Sequence, residues 1–124
     1  MKQQNALKDK SFLFAVRIVK CCKYLRSSKK ETVLSKQLIR SGTSIGANIR
    51  EAEHAQSKAD FIHKLSVSLK ETNETLYWLE LLVHSGYLAT NEFESIHKDC
   101  IEIIKLLTSI IKKSKTNIVS QPNK

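Results

Sequence analysis

The stretch RSGTSIGANIREA, Arg40 to Ala52, decides how the chain can fold. Gly42 and Gly46 lie four residues apart in it, among serines, a threonine and an asparagine. A phosphate-binding loop would need the pattern G-x-x-x-x-G-K-S/T after a strand, and this stretch has neither the lysine nor the strand. The small residues follow helical spacing, and each glycine costs a helix about 1 kcal/mol relative to alanine. We therefore expect a neighbouring helix to pack closely against this face and to offset that cost.

The rest of the chain is also poor in residues that build turns. Its 124 residues include three glycines and one proline, Pro122. Such a length is typical of one domain and too short for a large multi-domain enzyme. So few turn formers over this length favour long helices.

Hydrophobic spacing predicts four helices, at about residues 9–27, 32–56, 58–84 and 90–115. Thr32 is a candidate N-cap of the second helix, and Gly86 suits the left-handed residue that ends the third. In the fourth helix, apolar residues recur at spacings of three and four, which favours left-handed bundle packing. We predict an all-α fold, an antiparallel up-and-down four-helix bundle domain at residues 1–116, with a flexible C-terminal tail at residues 117–124.

The first helix carries more apolar surface than one bundle needs. We expect the stripe that contains Phe12, Val16 and Val19 to face the core, and a second stripe lies beside it; together they cover about 200° of the helix. Another apolar ridge lies on the third helix, diagonally across the bundle. Two unlike patches favour head-to-tail contacts that close into a ring; the alternative is that a slightly irregular bundle buries both ridges itself. The predicted oligomer interface comprises Phe14, Ile18, Cys21, Leu25, Val67, Trp78 and Leu82.

Polar residues within the helical stripes predict a structural polar core. If Asn48 is buried, its amide needs hydrogen-bond partners, because an unsatisfied buried amide is costly. Ser44, Glu51 and an arginine from a neighbouring segment are the candidate partners. We assign the polar core to Arg40, Ser44, Asn48, Glu51 and Glu71.

The formal net charge is +9, and it is unevenly distributed. Residues 1–31 hold nine basic and two acidic side chains, a local charge of +7. Phosphate contacts by such a surface give salt-dependent affinity with little sequence preference; the alternative is that the basic face only keeps the protein soluble. The candidate nucleic-acid-binding residues are Arg17, Lys20, Lys23, Arg26, Lys29 and Lys30 and, at the opposite end of the bundle, Lys112, Lys113 and Lys115.

The cysteines and the overall hydropathy favour a cytoplasmic protein. Cys21, Cys22 and Cys100 are odd in number and fit no zinc-binding spacing, so we expect reduced thiols in the core or in an interface. No run approaches the ~18 uncharged apolar residues of a membrane span, and the N-terminus lacks the apolar segment of a signal peptide. We expect no association with a membrane.

Two Glu-x-x-His pairs, Glu51 with His54 and Glu94 with His97, have the spacing found in di-iron bundles. Such a site also needs a glutamate from each of the other two helices, and the first helix has no acidic residue from position 10 to position 30. No nucleophile elbow or other catalytic spacing is present. We therefore expect no metal, no cofactor and no enzymatic activity.

Two segments resemble a known family. QLIRSGTSIGANIREA at residues 37–52 and FIHKLSVSLKETNETLYWLELLVHSGYL at residues 61–88 are similar to the four helix bundle proteins encoded in intervening sequences of bacterial 23S ribosomal RNA genes. The similarity covers about residues 12 to 113, and it departs from the family at Arg50 and Ala52, where alanine and glycine are usual. The matching positions are Gln37, Leu38, Arg40, Ser44, Ile45, Asn48, Ile49, Glu51, Phe61, Ser68, Leu69, Glu71, Gly86 and Tyr87.

This resemblance implies a ring-shaped homopentamer. It also implies kinship with the accessory protein of diversity-generating retroelements, a basic pentameric barrel that binds nucleic acid and a reverse transcriptase. Family members within ribosomal RNA insertions have no established biochemical activity. Together with the basic surface, the resemblance favours a non-enzymatic homo-oligomer that binds RNA or another nucleic acid. One alternative is a protein-binding scaffold for a partner such as a reverse transcriptase, and another is a structural oligomer without a ligand.

Overall fold

The chain folds as the predicted four-helix bundle. The computed structural model describes the backbone of residues 2–119 and the side chains of residues 2–116. Each helix packs against two neighbours, in the cyclic order α1, α2, α3, α4, and the short connections make adjacent helices antiparallel. The bounds are Lys2–Ser27 for α1, Val33–Glu53 for α2, Lys58–His84 for α3 and Thr90–Val119 for α4.

The ends of the helices differ from the prediction where tertiary contacts extend or shorten them. The first helix begins at Lys2 rather than near residue 9, because Leu7 is buried and Gln3 donates to Ser109 Oγ of α4 at 3.1 Å. The fourth helix continues to Val119, so the predicted tail at 117–124 overlaps it, and residues 120–124 lie outside the described residues.

The turn between α2 and α3 explains why α2 ends at Glu53, three residues before the predicted end. Ser57 Oγ accepts a hydrogen bond from the backbone N–H of Asp60 at 3.0 Å. The Asp60 carboxylate in turn accepts from the backbone N–H of Gln56 at 3.2 Å. This reciprocal capping holds residues 56 and 57 outside both helices.

The N-terminus of α2 is capped by Glu31, not by Thr32 as predicted. The Glu31 carboxylate is buried and accepts from the backbone N–H groups of Val33, Leu34 and Ser35 at 3.1, 2.8 and 2.8 Å. Thr32 makes no side-chain cap hydrogen bond. At the other predicted cap, Gly86 has a φ of 84°, so the left-handed end of α3 is confirmed.

The rotation of α1 about its axis is opposite to the one predicted. Phe14 and Ile18 are 2% and 0% exposed, whereas Phe12 and Val19, which we expected to face inward, are 55% and 46% exposed. An interface made of the second stripe is therefore wrong, because the single chain buries that stripe itself. Of the predicted interface residues, Phe14, Ile18, Cys21, Leu25 and Leu82 are buried, and Val67 and Trp78 are half-buried.

Close contact at Gly42 sets this rotation. A Cβ at Gly42 would lie 2.8 Å from Ile18 Cγ2 and 2.9 Å from Ile18 Cγ1, closer than two carbon atoms approach. Ile18 can therefore occupy this position only because residue 42 has no side chain, as the small-residue stretch predicted. At Gly46, the nearest atom to an added Cβ is Ser11 Oγ at 3.4 Å, so alanine fits there.

The two glycines give a matched pair of stability predictions. We expect Gly42→Ala to lower the free energy of unfolding by about 1 kcal/mol, because overpacking against Ile18 exceeds the gain in helix propensity. We expect Gly46→Ala to raise it by up to about 1 kcal/mol, because only the propensity changes. Urea unfolding of both variants at one protein concentration measures the difference, and equal stabilisation of the two would contradict the packing described for Gly42.

Candidate nucleic-acid interface

The predicted polar core lies at the surface between α2 and α3. Arg40 has a side chain that is 49% exposed, and it pairs with Glu71 at 3.4 Å and with Glu74. Trp78 Nε1 donates to the same Glu74 carboxylate at 3.1 Å. The assignment of Arg40 to the core is therefore wrong, because half of its side chain is exposed to water; the Glu71 side chain is 17% exposed and pairs with Arg40 at this surface.

The other three predicted core residues are also not core. Asn48 and Ser44 are half-buried and donate to backbone carbonyls one turn earlier in α2. Glu51 is exposed and accepts from Lys64 at 3.1 Å, an interaction that raises the pKa of Lys64.

Short hydroxyl side chains form the polar contacts that are buried. Ser68 Oγ donates to the carbonyl of Ile45 at 2.9 Å, and Thr75 Oγ1 lies 2.9 Å from Ser41 Oγ. Both contacts join α2 to α3 within the core. Serine and threonine suit these positions because their short side chains reach a partner without separating the helices.

Arg17, one of the predicted nucleic-acid-binding residues, is engaged by side chains of α4. Its guanidinium donates to Asp99 at 2.9 Å and to Ser95 Oγ at 2.6 Å, and it lies 3.6 Å from Glu92. All three partners belong to α4, next to α1 in the bundle. The charge of Arg17 is thus neutralised within the chain and joins two helices.

The basic residues in the C-terminal part of α1, in the following turn and in the first turn of α2 form a cationic end of the bundle. Its members are exposed and form no ion pair within the described part of the chain. Arg26 is positioned by a hydrogen bond from Nε to Ser35 Oγ at 3.3 Å. Glu31, the acid closest in sequence, is buried and occupied in capping α2. The cationic end comprises Lys20, Lys23, Arg26, Lys29, Lys30 and Lys36.

Lys36 is the member of this group that sequence reasoning missed. It lies in the first turn of α2, and the tight connection brings that turn beside the last turn of α1. The short connection between the two predicted helices could have indicated its place, because the end of one helix and the start of its antiparallel neighbour lie at the same end of the bundle.

The opposite end of the bundle is less cationic than predicted. Lys8 lies 3.6 Å from Glu53, and Lys10 lies 2.8 Å from Glu102. The Lys10 contact raises the pKa of the lysine and lowers the pKa of Glu102. Lys113 donates to Gln3 at 2.8 Å, while Lys112 and Lys115 are exposed.

The cysteine thiols lie where they are poor nucleophiles. Burial raises the pKa of Cys21 to about 11, and it raises the pKa values of Cys22 and Cys100 to about 12. At neutral pH the reactive thiolate is therefore scarce. Among the described residues, no group of three or more His, Cys, Asp or Glu side chains is placed to hold a metal ion. None of the four helices, over the residues described, is long and apolar enough to span a membrane.

The expected surplus of apolar surface exists, but it faces outward between α1 and α2. We call this the α1–α2 groove. One part has a volume of about 310 Å³, with Phe12 and Arg50 at its sides and Gly46 among the small residues that line it. The Arg50 guanidinium carbon lies 5.6 Å from the centre of the Phe12 ring. A second part, of about 410 Å³, is lined by Val19 and Ile39.

A separate cleft of about 570 Å³ lies between α1 and the start of α4. Lys20 and Tyr24 line it from α1, and Leu88, Asn91 and Glu92 line it from the other side. Tyr24 is 44% exposed. The cleft adjoins the cationic end, because Lys20 belongs to both.

These features define an all-α protein of the four-helix-bundle class, with a cationic end, an apolar groove and an adjoining cleft. A family model named 23S rRNA-intervening sequence protein matches residues 3–109. The chain belongs to that family, in agreement with the resemblance seen in the sequence.

A solved structure supports the same relationship. It is a crystal structure of a protein of unknown function from the S23 ribosomal protein family of Bacteroides thetaiotaomicron, and it shares 62% sequence identity with this chain. The alignment covers 89% of this chain and 98% of that one, with a TM-score of 0.88. No curated protein matches the chain.

Proposed function

We propose that this protein is a non-enzymatic RNA-binding protein that holds structured RNA through its phosphates at the cationic end. The observation that carries the proposal is the charge of that end: six exposed basic side chains without an ion pair in the described part of the chain. Elsewhere, Lys8, Lys10, Arg17, Arg40 and Lys64 are paired with acids. The unpaired lysines of α3 and α4 are spread along those helices, whereas the six basic residues of the cationic end lie together. Cations left unpaired at one end are available to phosphates.

The surface is better suited to binding structured RNA of any sequence than to recognising one particular base sequence. Lysine side chains are flexible point charges, which bind phosphates with little dependence on sequence. The family name associates such proteins with 23S ribosomal RNA genes, so RNA from that context is the first ligand to test. The proposal places the protein in the cytoplasm, where its three free thiols stay reduced.

Binding to a duplex RNA of about two helical turns tests the proposal. With six phosphate contacts per chain, we expect the affinity to fall about 10³-fold between 50 and 200 mM salt, because each contact releases bound counterions. A neutral polymer of similar size is the control ligand. Absence of binding at 50 mM salt, or an affinity that does not change with salt, would refute the proposal.

A second proposal, self-association, is favoured by the α1–α2 groove. Phe12, Val16 and Val19 are 55%, 36% and 46% exposed along one face of α1, and a monomer would leave them in water. We propose that a second copy covers the groove; that the assembly is a ring of five chains is suggested by the family resemblance alone.

A scaffold role remains the alternative use of the same groove. In that case a different protein, such as a reverse transcriptase, would cover Phe12 and Val19, and the purified protein would be a single chain. The mass of the purified protein distinguishes the two, because self-association needs no added partner.

A further inference from the structure

We infer that the cleft beside the cationic end binds an unpaired nucleotide of the RNA. This inference rests on the proposed function and adds to it a preference for RNA helices interrupted by a bulge or a loop. Without the cleft, contacts to phosphates alone would treat interrupted and continuous helices alike.

The size and position of the cleft suit a nucleotide. Its volume of about 570 Å³ is within the range of small-ligand sites, roughly 300–1,000 Å³. Lys20 lines it and forms no ion pair among the described residues, so it is free to contact a phosphate at the entrance. Lys23 lies one turn from Lys20 on α1 and continues the charge into the cationic end. A backbone held there would lie beside the cleft.

Tyr24 provides the surface on which a base would stack. Its side chain is 44% exposed and lines the cleft directly, whereas most aromatic residues of the chain are buried or half-buried. Stacking on an aromatic ring accepts any base, because every base has a flat π face. An unpaired base can leave its helix to reach the ring at little cost, while a paired base must first lose its pairing and stacking.

Polar groups on the opposite side of the cleft can contact the base edge. The Asn91 amide offers a donor and an acceptor, and the Glu92 carboxylate offers acceptors. Arg17 lies at the same cleft, held by Asp99 and 3.6 Å from Glu92, so the Glu92 carboxylate is positioned before binding. A base with an exocyclic amino group can donate to Glu92.

Two hairpin RNAs of the same length test the inference, each closed by the same non-nucleotide linker so that its end offers no unpaired base; one is fully paired and the other has a single bulged adenosine. We expect the native protein to bind the bulged hairpin about tenfold more tightly at 100 mM salt, and an abasic site in the bulge to remove the difference. Tyr24→Ala should lose the preference while binding the paired hairpin normally. Tyr24→Phe is the matched control and should retain the preference, because it keeps the ring. Circular dichroism checks that both variants fold.

The outcomes separate this inference from the proposed function. If the native protein binds both hairpins equally and with the expected salt dependence, the cleft inference is wrong and the phosphate proposal stands. An equal loss of affinity for both hairpins in Tyr24→Ala would also overturn the inference, since Tyr24 would then contribute to phosphate binding in general. If neither hairpin binds at low salt, both are wrong.

Discussion

Replacing Lys23, Lys29, Lys30 and Lys36 together by glutamine is expected to weaken RNA binding on the order of 10³-fold at 100 mM salt. Each lost phosphate contact forfeits the release of about 0.9 counterions, which near 0.1 M salt is worth almost a factor of ten in affinity. These side chains are exposed and form no ion pair in the described part of the chain. The fold should therefore persist while the affinity falls, as measured by fluorescence anisotropy and thermal unfolding.

A second four-lysine variant provides the control. Its lysines are also exposed and free of ion pairs among the described residues, but they lie on α3 and α4. It has the same net charge as the first variant, so a general charge effect would weaken both equally. An equal loss in the two would mean that the cationic end has no special role. The control replaces Lys58, Lys70, Lys98 and Lys105 by glutamine.

Phe12→Lys is expected to convert the proposed oligomer into single chains. Phe12 lies at the side of the α1–α2 groove with 55% of its surface exposed, and Arg50 lies over its ring. A lysine beside Arg50 would place two positive charges in an apolar interface. The contact would then no longer offset the free-energy cost of removing these charges from water. Light scattering should show the mass of the variant falling to the 14.1 kDa of one chain. The native protein should have a mass about five times larger if it forms the proposed ring of five chains.

Val33→Lys controls for the added charge. Val33 is 73% exposed at the start of α2 and does not line the groove. It should keep the native mass. A native protein of 14.1 kDa would rule out self-association and would favour the scaffold alternative. An oligomeric Phe12→Lys variant with the native mass would show that the chains associate through a surface other than this groove.

The sequence was sufficient for the bundle because its strongest patterns are local. The third helix was predicted with both ends correct, since Ser57 and Gly86 mark its ends with residues suited to caps. The small residues around Gly42 correctly predicted close helix packing. These features depend on spacing and on backbone preference, which one segment reveals without its neighbours.

The rotation of α1 was not predictable in the same way. Apolar residues cover more than half of that helix, so the stripe with Phe12 and the stripe with Phe14 satisfy the same periodicity. The choice between them depends on Ile18 fitting against Gly42, a contact between two helices. Once α1 is placed, the exposed surplus moves from the predicted interface to the α1–α2 groove.

The candidate site was predicted in outline, and its errors have a similar origin. Most of the cationic end was visible as a run of basic residues near the end of α1. The ion pair between Arg17 and Asp99 could not be predicted from the sequence, because it depends on how α1 and α4 align along the bundle. The cleft at Tyr24 was missed for the same reason, since its far side is formed by residues 88–92.

The salt dependence of RNA affinity, measured for the native protein and for the four-lysine variant of the cationic end, tests phosphate binding at this end most directly. A plot of the logarithm of the association constant against the logarithm of the salt concentration should have a slope of about −5 for the native protein, from six contacts. The variant, with two contacts left, should give a slope of about −2. A native slope near zero, or the same slope for both proteins, would contradict the assignment of RNA binding to the cationic end.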